Sequence, residues 1–313
     1  MSQWSPTASV RALRRRAELL ELIRAFFGQR EIFEVQTPVL TESGVTDVHI
    51  ESVATDSPAG WLRTSPEYYH KRLLAAGFGD LYELGPVFRR GEAGRHHQPE
   101  FTLLEWYRVG WSWRELAEEV VQLIRHALET DTVKRTVRWR SWNDCFLEAL
   151  GIDALSAEFQ ELDRLAHDAP KGLDRDALLD WLFATRIQHG FDETSITVVF
   201  DYPASQAALA RISTADSRVA ERFEVFAGSI ELANGYHELI DAGEQRTRFE
   251  RDNQVRANKG LPEMPIDERL LGALASDMPD CSGVALGFDR LVMVALGASS
   301  IDQVVSFAQH SGD

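Results

Sequence analysis

The chain has 313 residues, of which 44% are hydrophobic and 26% are charged, the balance of an ordinary globular protein. Its formal net charge of −16 and pI of about 5.0 argue against broad, non-specific binding to nucleic acid. The two cysteines, Cys145 and Cys281, lie far apart without metal-ligand spacing, which is typical of reduced thiols. No apolar run is long enough for a membrane span and no signal peptide is visible, so we expect a cytoplasmic protein without membrane contact.

The chain begins with an amphipathic helix, predicted over residues 9–28. Its apolar residues recur at three- and four-residue steps, and Gly28 is well placed as its terminator. A short strand is predicted over residues 32–35 and is broken at Thr37-Pro38. This pattern by itself also fits a simple strand end.

A second helix is predicted to start within the stretch WLRTSPEYYHKRLLAAG, residues 61–77. Ser65 is placed as its N-cap, Pro66 in its first turn, and Glu67 where the helix dipole favours a negative charge. Glu67 can be explained as a helix-start charge alone, and the local pattern leaves a functional role open.

Residues 82–111 predict two strands, 82–90 and 101–107, around a long loop. Glu83, Arg89, Glu105 and Tyr107 lie on these strands, whose other faces carry apolar residues with the two-residue period of a half-buried sheet. The loop at 91–100 is longer than a usual hairpin connection and is rich in arginine, histidine and glutamine. Loops of this kind often contact a ligand.

Farther along, helices are predicted at residues 112–129, 142–150 and 175–188, and a β-branched strand at 195–200. Residues 221–239 carry Glu224, Glu231 and Glu238 at seven-residue intervals within apolar, strand-like segments. Gly228, Asn234 and Gly235 argue against one continuous helix here. These carboxylates are either exposed on the wet face of a sheet or, if buried, must be paired or metal-bound.

The last informative stretch, residues 281–297, places Gly283 and Gly287 around a strand and then starts a helix at Asp289. Arg290 in the first turn strengthens the otherwise weak indication of a phosphate site. Neither GxxxxGK[ST] nor a GxGxxG fingerprint with its acidic residue occurs, so the two common nucleotide-binding folds lack support.

Together these stretches resemble the three motifs of the class II aminoacyl-tRNA synthetases. EVQTP resembles motif 1, the FRRGE and PEFTLLEWY segments resemble motif 2, and GFDR resembles motif 3. The resemblance implies an α+β fold, with an antiparallel β-sheet flanked by helices. It also implies a single catalytic domain over residues 1–313, with motif 1 near 11–40, motif 2 near 82–108 and motif 3 near 283–297. Motif 1 further implies a homodimer.

Within that class, TSPEYYHKRLL, ELANGYHEL and GVALGFDRLVM are similar to the lysyl branch. The chain starts directly at the motif 1 helix, so we expect no N-terminal anticodon-binding domain. This organisation and Ala285, at a position typically glycine in the tRNA enzymes, resemble the paralogues that modify elongation factor P. The implied partners are elongation factor P as acceptor and lysine or β-lysine as substrate, with no tRNA expected.

The resemblance also implies roles for the ATP end of the site. Arg89 would bridge the substrate carboxylate and the α-phosphate of ATP, and Arg290 would hold the γ-phosphate, so both would be catalytic. Glu224 and Glu231 would carry Mg²⁺. The residues expected to contact ATP are Arg89, Arg90, Gly91, Gln98, Glu231, Leu232, Gly287 and Arg290.

At the amino-acid end, the resemblance implies that Glu238 and Tyr107 receive the ε-ammonium of a lysine-like substrate. Glu67 would lie near its other amino group. The residues expected to bind the substrate are Ser65, Pro66, Glu67, Tyr68, Tyr69, Tyr107, Glu238 and Ala285.

One position departs from the family pattern. Motif 2 normally reads Arg-x-Glu, whereas here Arg89 is followed by Arg90 and Gly91. Glu92 could serve in place of the missing glutamate after a one-residue shift. Two other hypotheses stay open at this point: an enzyme acting on tRNA or a small acceptor, and a catalytically silent regulatory paralogue.

Overall fold

The structure, a computed structural model, describes residues 4–128 and 134–308. The helices are α1 Val10–Gly28, α2 Glu67–Ala75, α3 Trp113–Leu128, α4 Trp142–Leu150, α5 Phe159–Leu165, α6 Arg175–Leu182, α7 Ala242–Asn258, α8 Glu268–Leu274 and α9 Phe288–Leu296. The strands are β1 Phe33–Glu34, β2 Leu40–Thr41, β3 Val53–Asp56, β4 Ala59–Leu62, β5 Leu81–Phe88, β6 Glu100–Val109, β7 Thr136–Ser141, β8 Ser195–Pro203, β9 Val219–Ala227, β10 Ile230–His237 and β11 Cys281–Gly287.

Within these ranges, the main sheet has the strand order β1-β5-β6-β11-β10-β9-β8-β7. Its six central strands pair antiparallel, whereas β1 and β7 join the two edges in parallel. Strands β2, β4 and β3 form a separate small sheet. The α+β class and the large sheet flanked by helices are therefore confirmed, with parallel edge strands that the sequence did not predict.

The two faces of the main sheet have opposite chemistry. Residues paired across neighbouring strands share a face, so Glu83, Glu105, Ala285, Asn234 and Glu224 form one row on the polar face. The adjacent row lies on the opposite face and enters the main hydrophobic core under α1, α3 and α9; it includes Tyr82, Trp106, Val284 and Phe223. The two-residue period of the strands thus separates the core from the polar groups.

Two further clusters position the polar face. Trp142, Phe146 and Leu179 pack beside β8 in a second core. Leu74 of α2, Phe249 of α7 and Leu271 of α8 pack with Tyr107 and Cys281 in a third. The third cluster fixes α2 against the polar face, which is where Glu67 begins its helix.

Several local predictions needed correction. The second helix begins at Glu67, and Pro66 precedes it. Ser65 still helps to start it, because its Oγ accepts a hydrogen bond from the Glu67 amide at 3.0 Å. The helix predicted over 175–188 ends at Leu182 and continues as a π-helix, Phe183–Ile187. The third predicted helix starts at Trp113, and its last predicted residue, 129, lies outside the described residues.

Residues 242–274, for which the sequence predicted no element, contain α7 and α8. In α7 the apolar residues are too sparse for a clear amphipathic pattern, so only its caps and its packing identify it. None of the helices in the described part of the chain is long and apolar enough to cross a membrane.

Candidate active site

A cavity of about 980 Å³ lies against the polar face of the main sheet. It brings together residues from α2, β6, β9, β10, β11, α9 and the loop after β5. Of the predicted site residues, the structure places these along its wall: Ser65, Glu67, Tyr68, Tyr69, Arg89, Gln98, Tyr107, Glu224, Glu231, Leu232, Glu238, Ala285, Gly287 and Arg290.

Three predicted residues, Pro66, Arg90 and Gly91, are not part of that wall. The Arg90 side chain is 68% exposed and its Nη1 lies 3.2 Å from Glu51 Oε1. Gly91 has a φ of 77°, a left-handed conformation that favours glycine, and forms the turn of the loop. The left-handed turn accounts for glycine at this position.

One end of the cavity is rich in buried carboxylates. Tyr107 Oη donates to Glu105 Oε1 at 3.0 Å, and Ser65 Oγ donates to Glu105 Oε2 at 2.6 Å. Glu67 and Glu238 flank the same region and meet at Lys71, whose Nζ lies 2.6 Å from Glu67 Oε1 and 2.7 Å from Glu238 Oε2. We call this region, defined by Glu67, Lys71, Glu105, Tyr107 and Glu238, the carboxylate end.

A second layer of charges lies behind Glu105. Glu83 Oε1 accepts from Arg63 Nη1 at 2.7 Å, and its Oε2 accepts from Thr37 Oγ1 at 2.7 Å. His70 lies between the two glutamates, with Nε2 3.0 Å from Glu83 and Nδ1 3.4 Å from Glu105. Burial by itself raises the pKa of Glu83, but hydrogen bonds from His70, Thr37 and Arg63 outweigh it and lower that pKa to about 2.

Gly283 makes room for the carboxylate end. A Cβ atom at this position would lie 2.3 Å from the Tyr107 ring and 2.4 Å from Glu238 Oε1. Such distances are not tolerated by real side chains, so any larger residue would displace both groups. Ala285 lies two residues along the same strand, paired with Glu105 on one side and Asn234 on the other. The sequence analysis singled out Ala285. In the structure, the position on this strand with no room for a side chain is Gly283.

The opposite end of the cavity carries two arginines. Arg89 has Nη1 3.5 Å from Glu92 Oε1, and its guanidinium lies 5.1 Å from the centre of the Phe101 ring. Arg290 Nη1 donates to the Glu231 carbonyl at 3.1 Å, and Nη2 contacts His97 Nε2. We call this region, defined by Arg89, Glu92, His97, Glu231 and Arg290, the arginine end.

Glu224 lies beside the arginine end and is already paired. Arg222 Nη2 donates to Glu224 Oε1 at 2.6 Å. Burial, and then the charge of Glu231, raise the pKa of Glu224 to about 7. Two carboxylates that repel each other in this way suit a divalent cation, although the described residues contain no cluster of three or more candidate metal ligands.

Three of the predicted ATP contacts, Gln98, Leu232 and Gly287, come from three different elements. Gln98 Nε2 donates to Asp302 Oδ1 at 2.8 Å, so this interaction connects the motif 2 loop to the segment after α9. Leu232 is buried at the irregularity between β10 and β9, and Gly287 ends β11 just before α9. Nearby, Arg16 of α1 pairs with the buried Asp289, which also accepts from the Thr102 amide at 2.7 Å.

The sequence-based site omitted several residues that the structure adds. Glu105 shares the strand parity of Tyr107, which was an available signal. Lys71 follows Glu67 by four residues, a spacing usually explained as an exposed helix pair. His97 lies in the histidine-rich loop that the sequence singled out, although no role was assigned to it. Arg222 gave no distinct sequence signal, because its relevance depends on pairing across strands.

Comparisons with known proteins agree over nearly the whole chain. The family model described as tRNA synthetases class II (D, K and N) matches residues 3–311. The chain is 47% identical to the protein of Histophilus somni (strain 2336) named elongation factor P--(R)-beta-lysine ligase, with 97% of each chain covered. Proteins of the same name in Pasteurella multocida (strain Pm70) and Vibrio cholerae serotype O1 are 47% and 45% identical, with 97% and 98% of each chain covered.

Proposed function

The chain belongs to the tRNA synthetases class II (D, K and N), and from this membership we propose that it activates (R)-β-lysine or lysine with ATP and transfers the acyl group to a lysine of elongation factor P. It is an ATP-dependent ligase. The observation that carries the proposal is the polarity of one cavity, with buried carboxylates at one end and arginines at the other. A diamino acid and a polyphosphate are complementary to these two ends.

In the first step, the substrate carboxylate attacks the α-phosphorus of ATP, and pyrophosphate leaves. Both partners are anionic, so positive charge and alignment are the main requirements of the site. Arg89 would neutralise the reacting carboxylate and α-phosphate, and Arg290 would bind the terminal phosphate. In the second step, the acceptor amine attacks the acyl carbon, and AMP leaves.

The paired carboxylates Glu224 and Glu231 would hold Mg²⁺, supported by their mutual repulsion and by the raised pKa of Glu224. When bound, the ion neutralises phosphate charge. The chain's own contribution is to keep the two carboxylates on neighbouring strands, with Arg222 holding Glu224 in place.

The carboxylate end is proposed to bind the two ammonium groups of the substrate. Glu238 and Tyr107 would receive the distal ammonium, and Glu67 the other amino group. Glu105 is held by Ser65 and Tyr107 and would keep the Tyr107 ring in position.

Motif 1 is proposed to form a homodimer. Phe33 and Leu40, which follow α1, are 66% and 39% exposed in the single chain, as an apolar interface would require. Light scattering on the pure protein should give twice the chain mass. Because the proposed acceptor is a translation factor, we propose that the reaction takes place in the cytoplasm.

The direct test is intact-mass analysis of elongation factor P incubated with this protein, ATP and each lysine isomer. The expected result is the mass gain of one lysyl group with at least one isomer. The proposal would be rejected by an unchanged mass with both isomers, or by efficient charging of tRNA(Lys) by the pure protein.

The proposed role of the carboxylate end can be tested separately with Glu238→Gln. Amino-acid-dependent ATP–pyrophosphate exchange should show a KM for lysine raised by roughly 100-fold, because a buried charge partner of the ammonium is lost. The KM for ATP should change little, since the arginine end is untouched. An unchanged KM for lysine would refute the role of Glu238.

A further inference from the structure

The charges at the carboxylate end do not balance. Lys71 Nζ lies between two carboxylates of the cavity wall, 2.6 Å from Glu67 Oε1 and 2.7 Å from Glu238 Oε2. The side chains of Lys71 and Glu238 are each 1% exposed, and that of Glu67 is 16% exposed. One ammonium therefore serves two carboxyl groups, and one negative charge is left over.

The layer of charges behind this end does not supply the missing cation. His70 lies 3.0 Å from Glu83 and 3.4 Å from Glu105. Burial acts against a charge on His70, but hydrogen bonds to Glu105 and Glu83 outweigh it and raise the pKa of His70. Arg63 is the second cation of the layer and lies 2.7 Å from Glu83. Across the two layers, as far as the structure describes them, four carboxyl groups thus face three cations.

An unbalanced carboxylate is unfavourable at a buried site. A charge taken out of water needs a compensating partner, and two close carboxylates that lack one commonly bind a proton between them. Glu67 and Glu238 are the two carboxyls that share a single cation. The proton that balances the site is therefore expected on this pair.

Resting on the proposed function, we propose that Glu67 and Glu238 bind one proton between them in the ligand-free protein, and that a diamino acid displaces this proton when its distal ammonium binds. The carboxyl O–H bond breaks, the proton goes to water, and the ammonium replaces it charge for charge. The other amino group of the substrate requires no such exchange, because the substrate's own carboxylate lies beside it. A ligand without a distal cation cannot replace the proton in this way.

The electrostatics around the pair act in the same direction. Burial raises the pKa of Glu238, and the Lys71 ammonium offsets only part of this, so that the pKa is about 8. Burial likewise raises the pKa of Glu67, and Glu105 raises both. Burial disfavours a charge on Lys71, yet Glu238 and Glu67 outweigh it and raise the pKa of Lys71, which therefore keeps its charge.

Other titratable groups face this set from the surrounding elements. Those that interact with Lys71 or its two partners are His70 and Tyr68 on α2, Glu105 and Tyr107 on β6, Tyr236 on β10 and Cys281 on β11. Asp252 on α7 and Asp267 at the start of α8 act on Tyr68, and Asp47 acts on Tyr236. Among them, His70 is the group whose ordinary pKa lies closest to neutrality, so the experiment must separate it from the pair.

Calorimetric titration of the wild-type protein with lysine at pH 7, in buffers of different ionisation enthalpy, counts the protons released on binding. The expected result is release of about one proton per chain. A release near zero would overturn the proposal. This measurement needs no variant, so it does not depend on whether a substitution at the buried pair folds.

The pH dependence of the KM for lysine in ATP–pyrophosphate exchange tests the sign and the origin of the proton. The pair must lose its proton for the ammonium to bind, so the KM in wild type should fall by about tenfold or more from pH 6 to pH 7.5. In Glu238→Gln the KM should be high but level, because Glu67 then has Lys71 to itself. Glu118→Gln, at a glutamate of α3 that is 56% exposed, should keep the wild-type slope.

Two kinetic results would contradict the proposal. One is a level KM in wild type, and the other is an unchanged slope in Glu238→Gln, which would assign the proton to His70 or another group. Inhibition by norleucine, which lacks the distal ammonium, should not strengthen as pH rises; a slope like that of lysine would also overturn the proposal.

Failure of the proposed function would give a different result. If neither lysine isomer supports exchange, the proposed function is rejected, and the displaced proton is rejected with it. Lysine-dependent exchange without proton release would reject the displaced proton alone.

Discussion

The two ends of the cavity are built in different ways. At the carboxylate end, the charges make short contacts with fixed partners, such as Lys71 with Glu67 at 2.6 Å and with Glu238 at 2.7 Å. At the arginine end, Arg89 and Arg290 are about a quarter exposed, and their contacts with Glu92 and Glu231 are 3.5 and 3.4 Å long.

This difference indicates which kind of ligand each end is suited to bind. The carboxylate end is preorganised, as recognition of a small diamino acid requires, because reorganisation on binding would cost affinity. The arginine end holds its cations near acidic side chains that phosphate groups can replace. Substitutions at the two ends should therefore change different kinetic parameters.

The largest effect is expected at Arg89. Arg89→Met should lower kcat/KM for ATP–pyrophosphate exchange by about 10³-fold, because charge developing in the transition state loses its partner. The melting temperature should stay close to wild type, since the contacts of Arg89 are long. Arg90→Met, which removes the same charge from an exposed neighbour paired with Glu51, is the matched control and should keep nearly full activity. Equal losses in the two variants would contradict the assignment.

The layer of paired charges behind the carboxylate end predicts a pH-dependent stability at Glu83. The pKa of Glu83 is lowered to about 2, so its contribution to the free energy of unfolding is present above its unfolded pKa and is lost as pH falls toward 2. Chemical denaturation should show Glu83→Gln less stable than wild type by about 3 kcal/mol at pH 6, and nearly equal to it at pH 2. A difference that is the same at both pH values would argue against a buried, ionised Glu83.

Gly283→Ala tests how tightly the carboxylate end is packed. The added Cβ would push against Tyr107 and Glu238, so the KM for lysine should rise by about tenfold while the KM for ATP changes little. Gly272→Ala is the control, because no atom lies within 4 Å of a Cβ at that position in α8. A normal KM for lysine in Gly283→Ala would show that this end can rearrange.

The smallest effect is expected at Glu92. If Glu92 replaces the missing motif 2 glutamate, Glu92→Gln should raise the KM for ATP by a factor of about 3 to 10, the cost of one hydrogen bond to a ligand. If Glu92 only neutralises Arg89 before ATP arrives, the KM for ATP should instead stay level or fall. The KM for lysine should not change in either case.

Prediction from sequence was most successful where a pattern is local. The helix over residues 142–150 was predicted at the bounds that the structure gives, because Ser141 caps it and Gly151 ends it in a left-handed conformation. Glu224 and Glu231 were predicted on strands and lie on neighbouring ones. The prediction was silent over α7, whose residues are mostly polar, and it placed Arg90 in the site although the side chain points to solvent and pairs with Glu51.

The sequence by itself determined the family, the α+β fold and fourteen residues that lie on the cavity wall, since short motifs specify local conformation and chemistry together. Only the tertiary structure decided which charges meet. Lys71 and Glu238 are far apart in the chain, and their contact depends on the packing of α2 against the end of β10. The same applies to the space at Gly283, because strand register places Tyr107 and Glu238 over its Cα. Spacing along a chain cannot encode such contacts, which arise from packing between distant segments.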